Sequence, residues 1–276
     1  MKLRQKKISI PSTILLFIFM LFLMTPFYVM LVGSLKNNIS LITFPIDLSF
    51  TKELTFVNYR YVLEKSAILS WLLNSLSLST AVALITCALA STAGYAFAKI
   101  TFKGKNILFV LVLATMMLPK QILLIPNFLV AHSLDLEDKW TGVVLTTIAP
   151  AFGVFLCRQL MSSIPIELTD AAEIDGCGEI RKFFYIILPM ALPAVGTVFI
   201  FSFFACFNDY IWQLIMISDK KLITLPIGIA MFSQAATSNK GCQLAVACIA
   251  TLPLVLLFIL CQKFFIKNVT AGAVKG

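Results

Sequence analysis

Six stretches of mostly apolar residues, each long enough to cross the hydrocarbon core of a bilayer, limit what this chain can fold into. They run Pro11–Val32, Leu72–Phe97, Ile107–Val130, Trp140–Leu160, Ala191–Ile217 and Leu244–Ile266. In lipid, a helix satisfies its own backbone N–H and C=O groups, whereas an open strand leaves its own bare. The expected fold is therefore all-α, a polytopic membrane protein of about six transmembrane helices forming one transmembrane domain over residues 1–276. With 59% of its residues apolar and 13% charged, the chain has little left over for a soluble domain.

Charge placement gives this bundle an expected orientation. Lys and Arg number 22 against 13 acidic residues, and they collect at the ends of the apolar runs. With both termini in the cytoplasm, Lys2, Arg4, Lys6, Lys7, Lys99, Lys103, Lys105, Arg158, Arg181, Lys182, Lys263, Lys267 and Lys275 fall inside, a majority of the 22 and the bias expected of cytoplasmic segments. No aromatic-interleaved basic stripe accompanies the +9 charge, which argues against nucleic acid as a partner and leaves membrane lipid. The first run is longer than a signal-peptide core and lacks a small-x-small cleavage site, so it reads as a retained span. Residues 36–70 then form the main extracytoplasmic loop.

The seven cysteines show no C-x-x-C spacing, and His132 is the one histidine, so neither a metal site nor a disulfide framework is expected. Free thiols in apolar runs pack as small hydrophobes. Ala90, Gly94 and Ala98, spaced by four, form a small-residue stripe whose plain reading is close helix packing. Pro119, Pro126, Pro150, Pro189, Pro193 and Pro253 permit kinks.

One connection differs from the rest. Residues 162–189 read SSIPIELTDAAEIDGCGEIRKFFYIILP, too long for a turn. Pro165 ahead of Glu167, Asp170 and Glu173 is an N-terminal signature, and Glu167 through Ile174 is predicted helical at the cytoplasmic surface. Gly176 supplies positive φ where that helix stops, producing a helix–turn–helix elbow. Ala171 and Ala172 leave a low-profile face flanked by acids, a shape that seats in a groove on another protein.

These residues resemble the integral-membrane subunits of binding-protein-dependent ABC importers, whose cytoplasmic loop reads E-A-A-x-x-x-G and, nine residues later, I-x-L-P. Here Asp170-Ala171-Ala172 leads to Gly176, and after nine intervening residues stand Ile186-Ile187-Leu188-Pro189. Asp170 replaces the usual Glu, keeping the charge on a shorter arm. Asn58-Tyr59, Trp71 to Ser75, Asn208 to Trp212 and the tail Thr270 to Gly276 are similar to the carbohydrate (maltose-type) branch. The resemblance implies a permease subunit forming half of the translocation path for a sugar or related small polar solute. It implies as partners an ATP-binding subunit in two copies, a second permease subunit and an extracytoplasmic solute-binding protein, and as location the bacterial inner membrane. Glu167, Asp170, Ala171, Ala172, Asp175 and Gly176 would couple to the ATPase.

The chemistry is not in this chain. No G-x-x-x-x-G-K-[ST] phosphate loop and no nucleophile–histidine set occurs, so ATP and Mg are expected in the partner, with no cofactor, catalytic residue or metal ligand here. Polar groups within spans cost free energy unless they face a cavity or a partner, which nominates Asn208, Asp209 and Trp212 for the solute path. Asn74, Lys120, Gln121 and Asn127 follow on weaker grounds. An ion-coupled secondary transporter acting alone is the competing reading. It calls for paired intramembrane carboxylates or His relays and an inverted repeat, whereas Asp209 is the one clear acid inside a span.

Overall fold

The computed structural model describes residues 10–36, 54–148, 150–235 and 239–273; the basic start of the chain, residues 37–53 of the 36–70 loop and the last three tail residues lie outside them. The helices are α1 (Ile10–Ser34), α2 (Val57–Lys65), α3 (Ile68–Lys99), α4 (Lys105–Thr115), α5 (Leu124–Ser133), α6 (Trp140–Thr147), α7 (Ala151–Ser162), α8 (Ile166–Ile174), α9 (Glu179–Lys182), α10 (Leu188–Phe207), α11 (Ile211–Met216), α12 (Leu225–Ala235) and α13 (Lys240–Ala273). The chain is an all-α membrane protein. Among the described residues, four helices or helical runs are long and apolar enough to span, and up to six if each of two bent pairs counts as one.

Three of the six apolar runs, each expected to cross as one span with kinks permitted at proline, are interrupted. The third run bends by 89° between α4 and the 3₁₀ turn Lys120–Leu123 that leads into α5. Pro119 precedes that turn with extended ψ, and a proline there ends the preceding helix because it has no N–H to donate. The fourth bends by 51° between α6 and α7, where Pro150 caps α7. The fifth stops at Phe207, and Ile211–Met216 is a separate short helix. Helix α12, of 11 residues, was not expected at all.

The chain divides into two compact units. The first comprises residues 1–68 and 229–252. Asn58, at the start of α2, is buried there and donates through Nδ2 to the carbonyls of Ser34 (2.9 Å) and Lys36 (2.8 Å). The Tyr59 and Ser34 hydroxyls are 2.7 Å apart. These bonds satisfy the carbonyls left open at the end of α1, as a buried helix terminus requires. The outer length of α1 has no buried face in this unit, and its apolar side chains suit lipid or a partner helix.

The second unit comprises residues 69–228 and 253–276. Its core joins α3, α4, α7 and the run from α9 into α10 through Cys87, Ala90, Tyr95, Phe109, Val154, Cys157, Met161, Phe183, Ile187, Ala191 and Val198. The small-residue stripe is a packing seam, since α3 lies against α7 so closely that a Cβ on Gly94 would stand 2.5 Å from Cys157 Cβ. One turn earlier, the Ala90 methyl fills the matching space over Gly153. Without a hydrophobic effect between helices in lipid, contact of this kind is what holds them together. The buried thiols of Cys87, Cys157 and Cys206 behave as the small hydrophobes expected.

Candidate functional site: the elbow and the broken spans

The elbow is built as its residues dictate. Pro165, in extended conformation, precedes α8, and Glu167 occupies its first turn, where a carboxylate meets the helix N-terminus favourably. At the other end Gly176 has φ +77°. Its N–H donates to Glu173 O (3.0 Å), and that of Cys177 donates to Ala172 O (2.9 Å), the paired bonds of a Schellman stop. Gly178 is extended and opens α9.

From there, Glu179 to Phe207 is one helical run that widens to π pitch over Phe183–Ile187, directly ahead of Pro189. The wider turn gives the proline ring room against the preceding carbonyls.

Of the residues assigned to coupling, Glu167, Asp170, Ala171, Asp175 and Gly176 are exposed along the elbow. Ala172 is not. It is 6% exposed, so the two alanines do not form one outward face as expected. A helix turns by roughly 100° per residue, which separates neighbours to different sides. The outer surface instead carries Ile174, 88% exposed, and Ile180, 75% exposed, on either side of the Gly176 turn. Sequence reasoning passed over both, although two isoleucines flanking a polar turn are an available signal.

An ion-pair network that sequence reasoning also missed ties the elbow together. The Lys182 side chain, 6% exposed, lies with its ammonium 3.1 Å from Glu173 on α8 and in close contact with Glu179. Glu179 Oε2 accepts a 2.6 Å bond from the Tyr95 hydroxyl on α3. The Tyr95 ring is tilted against Phe183 at 5.2 Å. At the other root, Lys99 Nζ donates to Ile164 O at 2.6 Å.

The solute-path candidates are distributed over the three breaks. Asn208 caps α10, donating to Phe204 O at 2.9 Å. Asp209 Oδ1 accepts from the Trp212 backbone N–H at 3.2 Å, and Trp212 is buried with its indole N–H on Thr146 Oγ1 at 2.7 Å. Asp209 therefore stands at a helix break and not within a fifth span, and the short helix α11 that follows it packs with α5 and α6. Lys120, on the 3₁₀ turn with exposed Gln121, is near enough for its charge to bear on the Asp209 carboxylate. Asn74 is apart from this group. Its Nδ2 donates to the carbonyls of Lys221 (2.8 Å) and Ile223 (2.9 Å), holding the loop after α11 to the start of α3. Beside it Ser75 Oγ accepts from the Leu225 N–H, and Gln213, 2% exposed, spans the Cys206 carbonyl and the Thr224 hydroxyl.

Asp138 fixes that same loop from the turn between α5 and α6, with Oδ1 accepting from the backbone N–H groups of Ser218 and Asp219. These donors hold its carboxyl below the usual carboxylate range, because they bond the ionised form. A depressed folded pKa means the tether is in place above the ordinary value of 3.8 and is lost as pH falls through the lower folded one. Amide exchange over residues 217–221, corrected for intrinsic rates, should stay slow from neutral pH down to about pH 4 and quicken below it. Asp138→Asn should show the fast behaviour at every pH, and pH-independent protection in the wild type would exclude this tether.

The family model described as binding-protein-dependent transport system inner membrane component matches residues 89–271. The chain is 36% identical to the arabinooligosaccharides transport system permease protein AraQ of Bacillus subtilis (strain 168), across 91% of this chain and 90% of that protein. It is 33% identical to the sn-glycerol-3-phosphate transport system permease protein UgpE of Yersinia pestis, across 71% of each. Among solved structures it resembles a bacterial ABC transporter involved in the import of the acidic polysaccharide alginate. That chain matches with a TM-score of 0.82 at 20% identity, covering 96% of this chain and 99% of its own length, a likeness of fold.

Proposed function

The chain belongs to the family of inner-membrane components of binding-protein-dependent transport systems, and on that premise we propose that it carries a sugar or oligosaccharide across the membrane. It is a transmembrane permease subunit of an ATP-binding-cassette importer, a multi-pass membrane protein and not an enzyme. Hydrolysis of ATP takes place in a separate subunit, and a second permease and a solute-binding protein are its other partners in general. Family membership leaves the ion-coupled alternative without support.

The observation that carries the choice of solute is the identity to an arabinooligosaccharide permease along nearly the whole chain. Our reading adds two ATPase copies using ATP and Mg, both termini in the cytoplasm, residues 36–70 outside and 162–189 inside as the coupling loop. The exposed row Glu167, Asp170, Ala171, Asp175 and Gly176, with Ala172 setting how closely α8 lies to its base, would seat on the ATPase. For the solute path we select Gln121, Lys120 and Asp209 at the breaks, framed by Asn74, Asn208 and Trp212, whose polar groups are engaged in holding the helix ends.

The test is uptake by vesicles containing the assembled transporter with its receptor and internal MgATP, using radiolabelled arabinotriose against sn-glycerol 3-phosphate. Arabinotriose should be taken up at least tenfold faster. Asp209→Ala should raise the concentration giving half-maximal uptake without reducing the amount of assembled complex. Preference for the phosphate, or uptake without the ATPase subunit, would overturn the assignment.

A further inference from the structure

The elbow is continuous in sequence with α7 on one side and with the α9–α10 run on the other, so any push on it reaches those two helices directly. The side-chain network adds a third connection that the covalent chain does not provide. Lys182 is a cation almost removed from solvent and gripped by two carboxylates, Glu173 from α8 and Glu179 from α9. Burying an ammonium without partners is costly, so the three groups stay together once the elbow has folded. The bond to Glu173 crosses the Gly176 turn and closes the angle between α8 and α9, which the backbone alone would leave to two glycines. From Glu179 the connection continues to the Tyr95 hydroxyl, and from Ile164 at the opposite root it continues to Lys99. Both end points lie in the last turns of α3, four residues apart and so on one face.

We propose that Lys182, Glu179, Tyr95 and Lys99 are positioning residues that clamp the elbow to the end of α3, so that movement of the elbow is delivered to α3 as well as to α7 and α10. The proposal rests on the elbow being the ATPase-coupling element. In this arrangement α8, α9 and the end of α3 move as one body, and α3, through the Gly94 contact with Cys157, is already seated on α7. Three helices of the unit are then driven by the elbow directly, whereas without the clamp α3 would receive the motion only through its packing on α7. Lys182 matters for the rigidity of this body and touches neither nucleotide nor solute.

The test uses the complete transporter in nanodiscs, with amide exchange followed over residues 162–182 and, separately, residues 93–103. MgATP with vanadate should change exchange in both segments of the wild type. In Lys182→Met the elbow should still respond while the response at residues 93–103 falls at least threefold, and Lys182→Arg should recover most of it. Tyr95→Phe removes one hydroxyl and leaves every charge in place, so it decides the matter if Lys182→Met does not assemble, and a reduced response confined to residues 93–103 supports the clamp. A full wild-type response at residues 93–103 in Lys182→Met, or in Tyr95→Phe where Lys182→Met does not assemble, overturns it. If vanadate leaves residues 162–182 unchanged in the wild type, the coupling assignment itself has failed, and the clamp with it.

Discussion

Replacing Gly94 by leucine should sharply reduce the folded protein that survives heating. The added Cβ would begin 2.5 Å from Cys157 Cβ, 3.0 Å from the Arg158 backbone nitrogen and 3.2 Å from the Cys157 carbonyl carbon. Carbon atoms settle at about 3.5–4 Å, so α3 and α7 would have to part by about 1 Å before the rest of the side chain is placed. Two of the opposing atoms are backbone and cannot rotate aside. Overpacking of a close seam costs about 1–3 kcal/mol and sometimes more, and this site belongs at the upper end. Set against a total stability of about 5–15 kcal/mol, that loss should appear as a much smaller monodisperse fraction after a heating step in detergent. Gly178→Ala is the matching control, since nothing lies within 4 Å of its Cβ position and its φ of −70° suits any residue. Its effect should stay within about 0.5 kcal/mol. An equal loss in the two variants would show that the seam is not what limits stability.

A second large effect is expected at Ala171. It is exposed on α8 while its neighbour Ala172 is packed inward, so Ala171→Trp projects an indole from the elbow without disturbing its interior. The same change at Ala172 would mix two effects, which makes it the poorer probe. Blocking the centre of a protein–protein contact commonly costs 2 kcal/mol or more, about 30-fold in affinity. The variant should reach the membrane in normal amount, retain at least tenfold less ATPase subunit after solubilisation and lose uptake in proportion. Full retention together with full uptake would place the docking surface elsewhere.

The elbow was the most legible part of the chain because its signals are local. Proline, an acidic first turn and a glycine at the stop bracket α8 to within one residue, Ile166–Ile174 against the expected Glu167–Ile174. The stripe Ala90 and Gly94 was legible for the same reason, since four-residue spacing in a helix implies one face. What hydropathy could not register was the interruption of three spans. An apolar run reads alike whether the helix continues or bends, so Asp209 was placed inside a helix that ends at Phe207. Pro119 and Pro150 did mark two of the breaks, although Pro193 and Pro253 lie within continuous helices, so proline alone does not separate the cases. The inward turn of Ala172, the stitching role of Asn74 and the burial of Lys182 depend on what lies opposite them. That is a property of the packed chain and not of spacing.

The bonds from Asn74 and Ser75 to Lys221, Ile223 and Leu225 join residues 147 to 150 positions apart. A ribosome delivering this chain into the membrane therefore exposes the beginning of α3 long before its polar groups can find their partners. Asn74 and Ser75 must remain hydrated, or be held by the insertion machinery, until synthesis has passed residue 225. A chain broken off after α10 would carry them unpaired, a mark by which quality control could tell an unfinished copy from a finished one.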